Sequence, residues 1–221
     1  RSRLRSRSTL SCSSLGDCTY KPDLCTKIQL FMKQLAIFAS GNGSNAEAIV
    51  HYFRSTAEAE VAVILTNKAD AGVRERAKRL GIPCHHFTSA EMREGVKPLS
   101  LLRDQGIDLI ILAGYLCLVT PPYIMEYPDR IINIHPALLP AYGGKGMYGD
   151  HVHRAVLEAR EQVSGITIHL VNERYDEGRH LLQATCPVLE EDTPETLASR
   201  IHELEHRFFP TTIAQYLRFL P

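Results

Sequence analysis

The sequence of 221 residues is missing the features that mark several whole classes of protein. Lys+Arg and Asp+Glu stand at 25 each, so no net charge draws the chain to nucleic acid or to an anionic membrane surface. The longest apolar run, residues 109–118, is interrupted by Gly114 and is far too short to span a bilayer. The six cysteines include no CxxC pair, and Cys84, Cys117 and Cys186 have no zinc-type spacing. These three lie in apolar, strand-like stretches and read as small buried hydrophobes, which suits a reducing, cytoplasmic setting. There is no internal repeat and no apolar segment of the secretory-signal kind. What remains is ordinary globular composition, 44% hydrophobic and 23% charged, at a length for one large domain or two small ones.

The chain changes character near Met32. Residues 1–31 are basic and Ser-rich, with Arg1, Arg3, Arg5, Arg7, Lys21 and Lys27 against Asp17 and Asp23, and show neither helical nor strand period. This leader is expected to be disordered or outside the native domain. It is either an organelle transit segment or read-through upstream of a start at Met32.

Residues 32–221 alternate apolar strands with helical stretches. Strands are expected at Leu35–Ser40, Val61–Thr66, Cys84–Phe87, Asp108–Ala113, Ile131–Ile134, Ile166–Val171 and Leu181–Val188. Helices are expected at Ser44–Phe53, Ala71–Leu80, near Val152–Arg160, and from Thr193 to Phe209, where Pro210 should break the last one. Alternation of this kind specifies an α/β fold: a single domain with a mainly parallel, twisted sheet and a Rossmann-like N-terminal half.

Two motifs carry chemistry. Gly41-Asn-Gly-Ser-Asn45 follows the first strand and opens a helix. Backbone N–H groups in such a turn, with the helix N-terminus, make an anion site, and Ser44 and Asn45 can cap the helix or donate to phosphate oxygens. A plain tight turn explains the spacing as well. With Ala46 the stretch also fits a dinucleotide fingerprint, but the second strand ends in Thr66-Asn67-Lys68 without the acid that ribose recognition needs, so a monophosphate fits better. In Asn133-Ile-His135-Pro-Ala-Leu-Leu-Pro140, period two puts Asn133 and His135 on one face at the carboxyl end of a strand. Such a pair suits an oxyanion that develops during acyl transfer.

These segments, with Leu112-Ala-Gly-Tyr115 and Asp176-Glu-Gly178, occur in an order and spacing that resembles the folate-dependent formyltransferase family, in particular its glycinamide ribonucleotide branch. The resemblance covers about Lys33 to Leu220. It implies the formyltransferase fold and transfer of the formyl group of 10-formyltetrahydrofolate, as co-substrate, to the amine of 5-phosphoribosylglycinamide. It also implies small-molecule partners, with no nucleic acid, membrane or metal, and leaves the oligomeric state open.

By the same resemblance Asn133 and His135 are the catalytic pair, and Asp176 is the acid that keeps the histidine protonated. Gly43, Ser44 and Asn45 hold the ribonucleotide phosphate, and Glu205 contacts the glycinamide. Leu116, Cys117, Leu118 and Val119 receive the pteridine together with Asn133, and the loop 172–178 closes over it. Cys117 stands where some relatives carry Arg. The stretch Thr88–Asp104 is short, and Arg93 is a loose candidate for the folate-binding arginine expected there. The loop 142–150, with Lys145, is expanded; it is either a substrate contact or a flexible connection.

His202-Glu-Leu-Glu-His206 is a formal HExxH on a predicted helix, so a zinc peptidase with Glu203 as base is a second reading, although no third ligand is nominated. A nucleotide-binding regulator without chemistry, which would bind phosphate yet not need Asn133, His135 and Asp176 together, is a third. His151 and His153, two apart, are expected on the surface. A helix carrying Leu197, Ile201, Leu204 and Phe208 on one stripe has an ordinary packing reason to exist.

Residues 1–31 lack a periodic apolar face, so deleting them is expected to leave the melting temperature and substrate turnover unchanged. A truncated chain that precipitates or melts several degrees lower would place the leader in the core.

Overall fold

A computed structural model describes residues 32–220, and the leader lies outside the described residues. From Met32 onward the chain forms one compact unit. Seven strands make one sheet in the order β3-β2-β1-β4-β5-β6-β7. They are β1 (Lys33–Phe38), β2 (Ala59–Thr66), β3 (Cys84–His86), β4 (Leu109–Leu112), β5 (Ile131–His135), β6 (Val163–Leu170) and β7 (His180–Pro187). The first five run parallel; β6 pairs antiparallel with β5, and β7 antiparallel with β6. Strands expected from apolar runs are thus all present, with ends that differ by at most three residues.

Period two along β1 explains the layering. Leu35, Ile37 and Ala39 face one layer, and Ala36 and Phe38 face the other; all five are buried. The first layer holds α1 (Ser44–Thr56), α2 (Val73–Leu80), α6 (Asp150–Glu158) and α7 (Pro194–Leu217). The second holds α3 (Ser89–Glu94), α4 (Val96–Asp104) and α5 (Pro121–Glu126), which contribute Met92, Leu99, Leu102 and Tyr123. Strands buried on both faces read as continuous apolar runs, which is why VAVILT and LIIL stand out in the sequence.

The stretch 88–104, for which no helix was expected, folds as α3 and α4, separated by Gly95 at φ 82°. Thr88 and Glu91 form a reciprocal capping box at its start. The expected break at Pro210 needs correction. The last helix runs unbroken through Pro210 to Leu217. Pro210 has no N–H for the His206 carbonyl one turn back, and the hydroxyls of Thr211 and Thr212 go to a different carbonyl, that of Phe208, at 3.0 and 2.7 Å. Phe209, Ile213 and Leu217 are buried, and that packing holds the helix together where local propensity would end it.

A Cβ on Gly165, in the middle of β6, would lie 2.0 Å from the Ala184 carbonyl oxygen of β7. Neither backbone can yield without breaking the ladder. Gly165→Ala is expected to cost about 3 kcal/mol, at the upper end of ordinary substitutions, seen as a drop in denaturation midpoint. An unchanged midpoint would show that the β6–β7 register is loose.

Candidate active site

The strand order reverses between β1 and β4, and in open α/β sheets ligands bind in the crevice at that point. Here the loop after β1 and the loop after β4 meet. Ser40 donates its N–H to the Gly114 carbonyl at 3.0 Å, and Leu116 donates its N–H to Ser40 Oγ at 2.9 Å. The expected phosphate loop and the expected pteridine segment therefore share one edge of the sheet.

In the first loop, Gly43 is the N-cap of α1 with φ 82° and ψ 23°. No side chain caps this helix, contrary to the expectation for Ser44 and Asn45. Ser44 is already the first helical residue, and the Asn45 amide is turned elsewhere. The first N–H groups of α1 are therefore left for an anion. Gly43 has a second reason to be glycine: a Cβ there would sit 2.5 Å from Val73 Cγ2. The requirement is left-handed backbone and close packing on α2, more than approach to phosphate. Arg76 of α2 braces the same loop, donating from Nε to the Asn42 carbonyl at 2.8 Å and from Nη2 to Asn42 Oδ1 at 3.0 Å, and pairs with Glu47.

Asn45 and Glu205, nominated from opposite ends of the chain, are in contact. Asn45 Nδ2 donates to Glu205 Oε2 at 2.8 Å, and His202 Nδ1 lies 2.8 Å from the same oxygen. Glu205 is buried, and the bond to its carboxylate raises the His202 imidazole above its ordinary value against the opposing effect of burial. The HExxH pattern is thereby accounted for without metal geometry. His202 is engaged at i, i+3 with Glu205, while His202 and His206 stack with ring centroids 6.3 Å apart. Among the described residues no group of three or more His, Cys, Asp or Glu is arranged to hold a metal ion.

On the β4 side, Leu116 and Leu118 are exposed and Val119 is buried. Cys117 lies in this loop rather than in a strand, with its thiol half-buried. Arg93, at the end of α3, is exposed, and its carbonyl accepts from Thr120 Oγ1 at 2.8 Å, which puts it beside the segment it was expected to serve.

The third part of the site lies on β5 and the loops beyond it. His135 is buried, and both ring nitrogens face acceptors: Nε2 donates to the Tyr142 carbonyl at 2.7 Å, and Nδ1 lies 3.7 Å from Asp176 Oδ2. Asp176 sits at φ 56° in the loop 172–178, and its Oδ2 accepts from the Gly144 N–H at 2.9 Å. The expanded loop 142–150 thus serves the acid through its backbone.

His169, on β6 opposite Asn133, was not nominated from the sequence. Its Nδ1 donates to the Leu170 carbonyl at 2.9 Å, so in the neutral ring Nε2 accepts from Asn133 Nδ2 at 3.0 Å. Asp176 Oδ1 lies 3.6 Å from the same nitrogen. The missed signal was period two along ITIHL, which puts Thr167 and His169 on one face. His153, expected on the surface, is buried on the inner face of α6, and His151 alone is exposed.

The electrostatics correct one expectation. Burial pushes the His135 imidazole below its ordinary value of 6.5, and the nearby Asp176 carboxylate and the Tyr142 carbonyl pull it back only in part. For Asp176, burial pushes the carboxyl up, but His169, the Gly144 N–H and His135 outweigh it and hold the group below its usual range. The acid is ionised and the histidine resists protonation, so the site holds a proton-accepting pair beside a neutral amide donor.

The arrangement defines a class: a doubly wound α/β domain with an uncapped helix start after β1 and an Asn–His–Asp cluster along one sheet edge. The chain belongs to the formyl transferase family, whose model matches residues 33–213. It is 46% identical over 183 residues to the chloroplastic phosphoribosylglycinamide formyltransferase of Arabidopsis thaliana, covering 80% of this chain and 63% of that one. It thus spans less than two thirds of that plant relative's length. The phosphoribosylglycinamide formyltransferase of Bacillus subtilis is 39% identical, with 84% of this chain and 95% of that one covered. Among solved structures, glycinamide ribonucleotide transformylase 1 from Symbiobacterium toebii superimposes with a TM-score of 0.78 at 39% identity, covering 84% of this chain and 87% of that one.

The two loop glycines should separate cleanly. A Cβ at Gly41 meets nothing within 4 Å, whereas at Gly43 it meets Val73 on a left-handed backbone. Gly41→Ala is expected to leave the melting temperature unchanged, and Gly43→Ala to lose about 2 kcal/mol. Equal melting temperatures would show that α2 does not brace the loop.

Proposed function

We propose that this chain transfers the formyl group of 10-formyltetrahydrofolate to the amine of 5-phosphoribosylglycinamide, giving the N-formyl ribonucleotide and tetrahydrofolate. The observation that carries the reading is the contact of Asn45 with Glu205 beside the uncapped start of α1, on the same edge as Asn133, His135 and Asp176. A phosphate-binding regulator would need the first feature and not the second. The names of the relatives support the same reaction.

In this reading the phosphate rests on the N–H groups of Gly43, Ser44 and Asn45, and Glu205 meets the glycinamide end. The pteridine lies against the backbone of Leu116–Val119, with Arg93 at its margin. The amine nitrogen attacks the formyl carbon, the new C–N bond forms, and the carbonyl becomes an oxyanion. Asn133 has one N–H engaged by His169 and a second N–H to donate to that oxygen. His135, which gains stabilisation beside Asp176 once it is charged, donates there as negative charge develops. The amine's proton passes through the His135–Asp176 pair to N10 as the C–N10 bond breaks. Holding both substrates in one crevice supplies the proximity term. The described cysteines are all unpaired, which fits a reducing compartment such as the cytoplasm.

The test is turnover with glycinamide ribonucleotide and formyl-folate, followed by the absorbance of released tetrahydrofolate across pH. If protonated His135 is the active form, kcat/KM falls as pH rises through the free enzyme's His135 value, which lies below 6.5. Asp176→Asn removes a cause that raises that value, so the falling limb moves to still lower pH, and kcat drops roughly 10²–10⁴-fold. His135→Ala loses a similar amount and the double variant little more, because groups acting as one unit are not additive. Full additivity, or a limb that Asp176→Asn leaves in place, would reduce Asp176 to a loop-shaping role.

A further inference from the structure

Asn67, in the Thr66-Asn67-Lys68 segment at the end of β2, has no part in the chemistry above, yet its side chain joins the two substrate loops. Ser40 Oγ accepts the Leu116 N–H at 2.9 Å, so its own hydrogen goes to Asn67 Oδ1 at 2.6 Å. This fixes the amide's orientation, because the oxygen must face Ser40. Nδ2 then points the other way and has two hydrogens for two acceptors, Cys117 Sγ at 3.1 Å and Ser89 Oγ at 3.2 Å. One planar amide therefore spans from Ser40, immediately before the anion loop, to Cys117 in the pteridine segment and to Ser89 at the start of α3, the helix that ends near Arg93. Ser40 is buried and the other three are half-buried, so these bonds are shielded from water on the side facing the core.

We propose that Asn67 is a positioning residue that couples the two substrate subsites, so that binding of the ribonucleotide strengthens binding of the folate, and the converse. The argument is one of shared ordering, and it rests on the functional reading above. A ligand on the Gly41–Asn45 loop immobilises Ser40, and Ser40 holds both the Leu116 backbone and the Asn67 amide. The amide in turn sets the Cys117 side chain. The second ligand then meets a segment whose ordering cost has already been met, which gives positive cooperativity without a large conformational change. By linkage the effect is equal in both directions. Cys117 belongs to this chain's version of the link, because a thiol beside Nδ2 accepts where an arginine, a pure donor, would not.

Calorimetric titration of the full chain with tetrahydrofolate, which carries no formyl group and does not react, reads the coupling directly. Titrations are run with and without saturating phosphoribosylglycinamide. The wild-type chain is expected to bind tetrahydrofolate about five-fold more tightly, or better, when the ribonucleotide is present. Asn67→Ala and Ser40→Ala should bring that ratio close to one while each ligand alone still binds. Asn67→Asp keeps the acceptor for Ser40 and the shape, loses the donors to Cys117 and Ser89, and should fall between; it carries the test if the alanine variant does not fold. Cys117→Ser keeps an acceptor opposite Nδ2 and should retain the ratio. A wild-type ratio of one, or a ratio that Asn67→Asp and Ser40→Ala leave intact, overturns the inference. A wild-type chain that binds neither ligand overturns the functional reading instead.

Discussion

Everything at the site depends on the parallel pairing of β1 with β4. The register runs from Leu35 opposite Leu109 to Phe38 opposite Leu112 without a slip, and both strands end at the same level. Because β2 lies on the far side of β1, and β5 on the far side of β4, the chain leaves these two strands in opposite directions. Between the departing loops, the first residue past β1 with a polar side chain, Ser40, is buried and bonded to Gly114 and Leu116 of the other loop. A one-residue slip would exchange the two faces of β1 and turn Leu35 and Ile37 away from the layer they fill. The hydrophobic pattern thus fixes where the two loops touch, and each loop is anchored by core residues of its own: Ala39 after β1, and Ala113 and Val119 after β4.

The edge that carries Asn133, His135 and Asp176 is built on the opposite principle, by backbone held in costly conformations. Asp176 occupies left-handed space without being glycine, a strain of about 1–3 kcal/mol that the surroundings must hold in place. Gly143 and Gly178 make the room: a Cβ on Gly143 would lie 2.5 Å from Leu139, and one on Gly178 would lie 1.6 Å from the Leu170 carbonyl. The carboxylate is thereby brought within reach of His135 and His169 at once. A buried histidine with acceptors at both nitrogens is poised in an unusual way. Burial opposes its charge, while its partners are satisfied together only when it is charged. In the proposed reaction, negative charge developing nearby would tip that balance, so the stabilisation would be larger for the transition state than for the resting site.

Most of the fold was legible in the sequence because buried parallel strands are runs of apolar residues, and all seven were located. Helices on the second layer were not, since α3 and α5 have six residues each, less than two turns and too short for an apolar stripe to repeat. The continuation of α7 past Pro210 was hidden because what holds it is the burial of Phe209, Ile213 and Leu217, a tertiary fact. Position along the chain was legible from local motif: Gly43, Ser44 and Asn45 open α1, and Asn133 and His135 lie in the last three residues of β5, as their spacing required. What escaped was pairing across the sheet. His169 meets Asn133 through the antiparallel register of β5 and β6, and His153 is buried by the packing of α6 on α7, neither of which a single segment reveals. The sign of the His135 shift escaped for a related reason. A carboxylate partner can be read from a motif, whereas the depth of burial that opposes it depends on every element packed around the ring.

The HExxH segment shows how the same spacing is resolved by context. On any helix, i and i+4 share a face, and so do i and i+3. A zinc site would use the first relation; α7 uses the second, since His202 turns to Glu205 and leaves His206 stacked on the outside. The choice follows from Asn45. Its amide arrives at Glu205 from α1, a buried carboxylate needs donors, and His202 is the donor one turn away on the same helix. Glu203, by contrast, points to solvent and has no buried partner to hold. The carboxylate that matters in this segment is therefore the one that the zinc pattern leaves unassigned, and its importance comes from a contact 160 residues away in the chain.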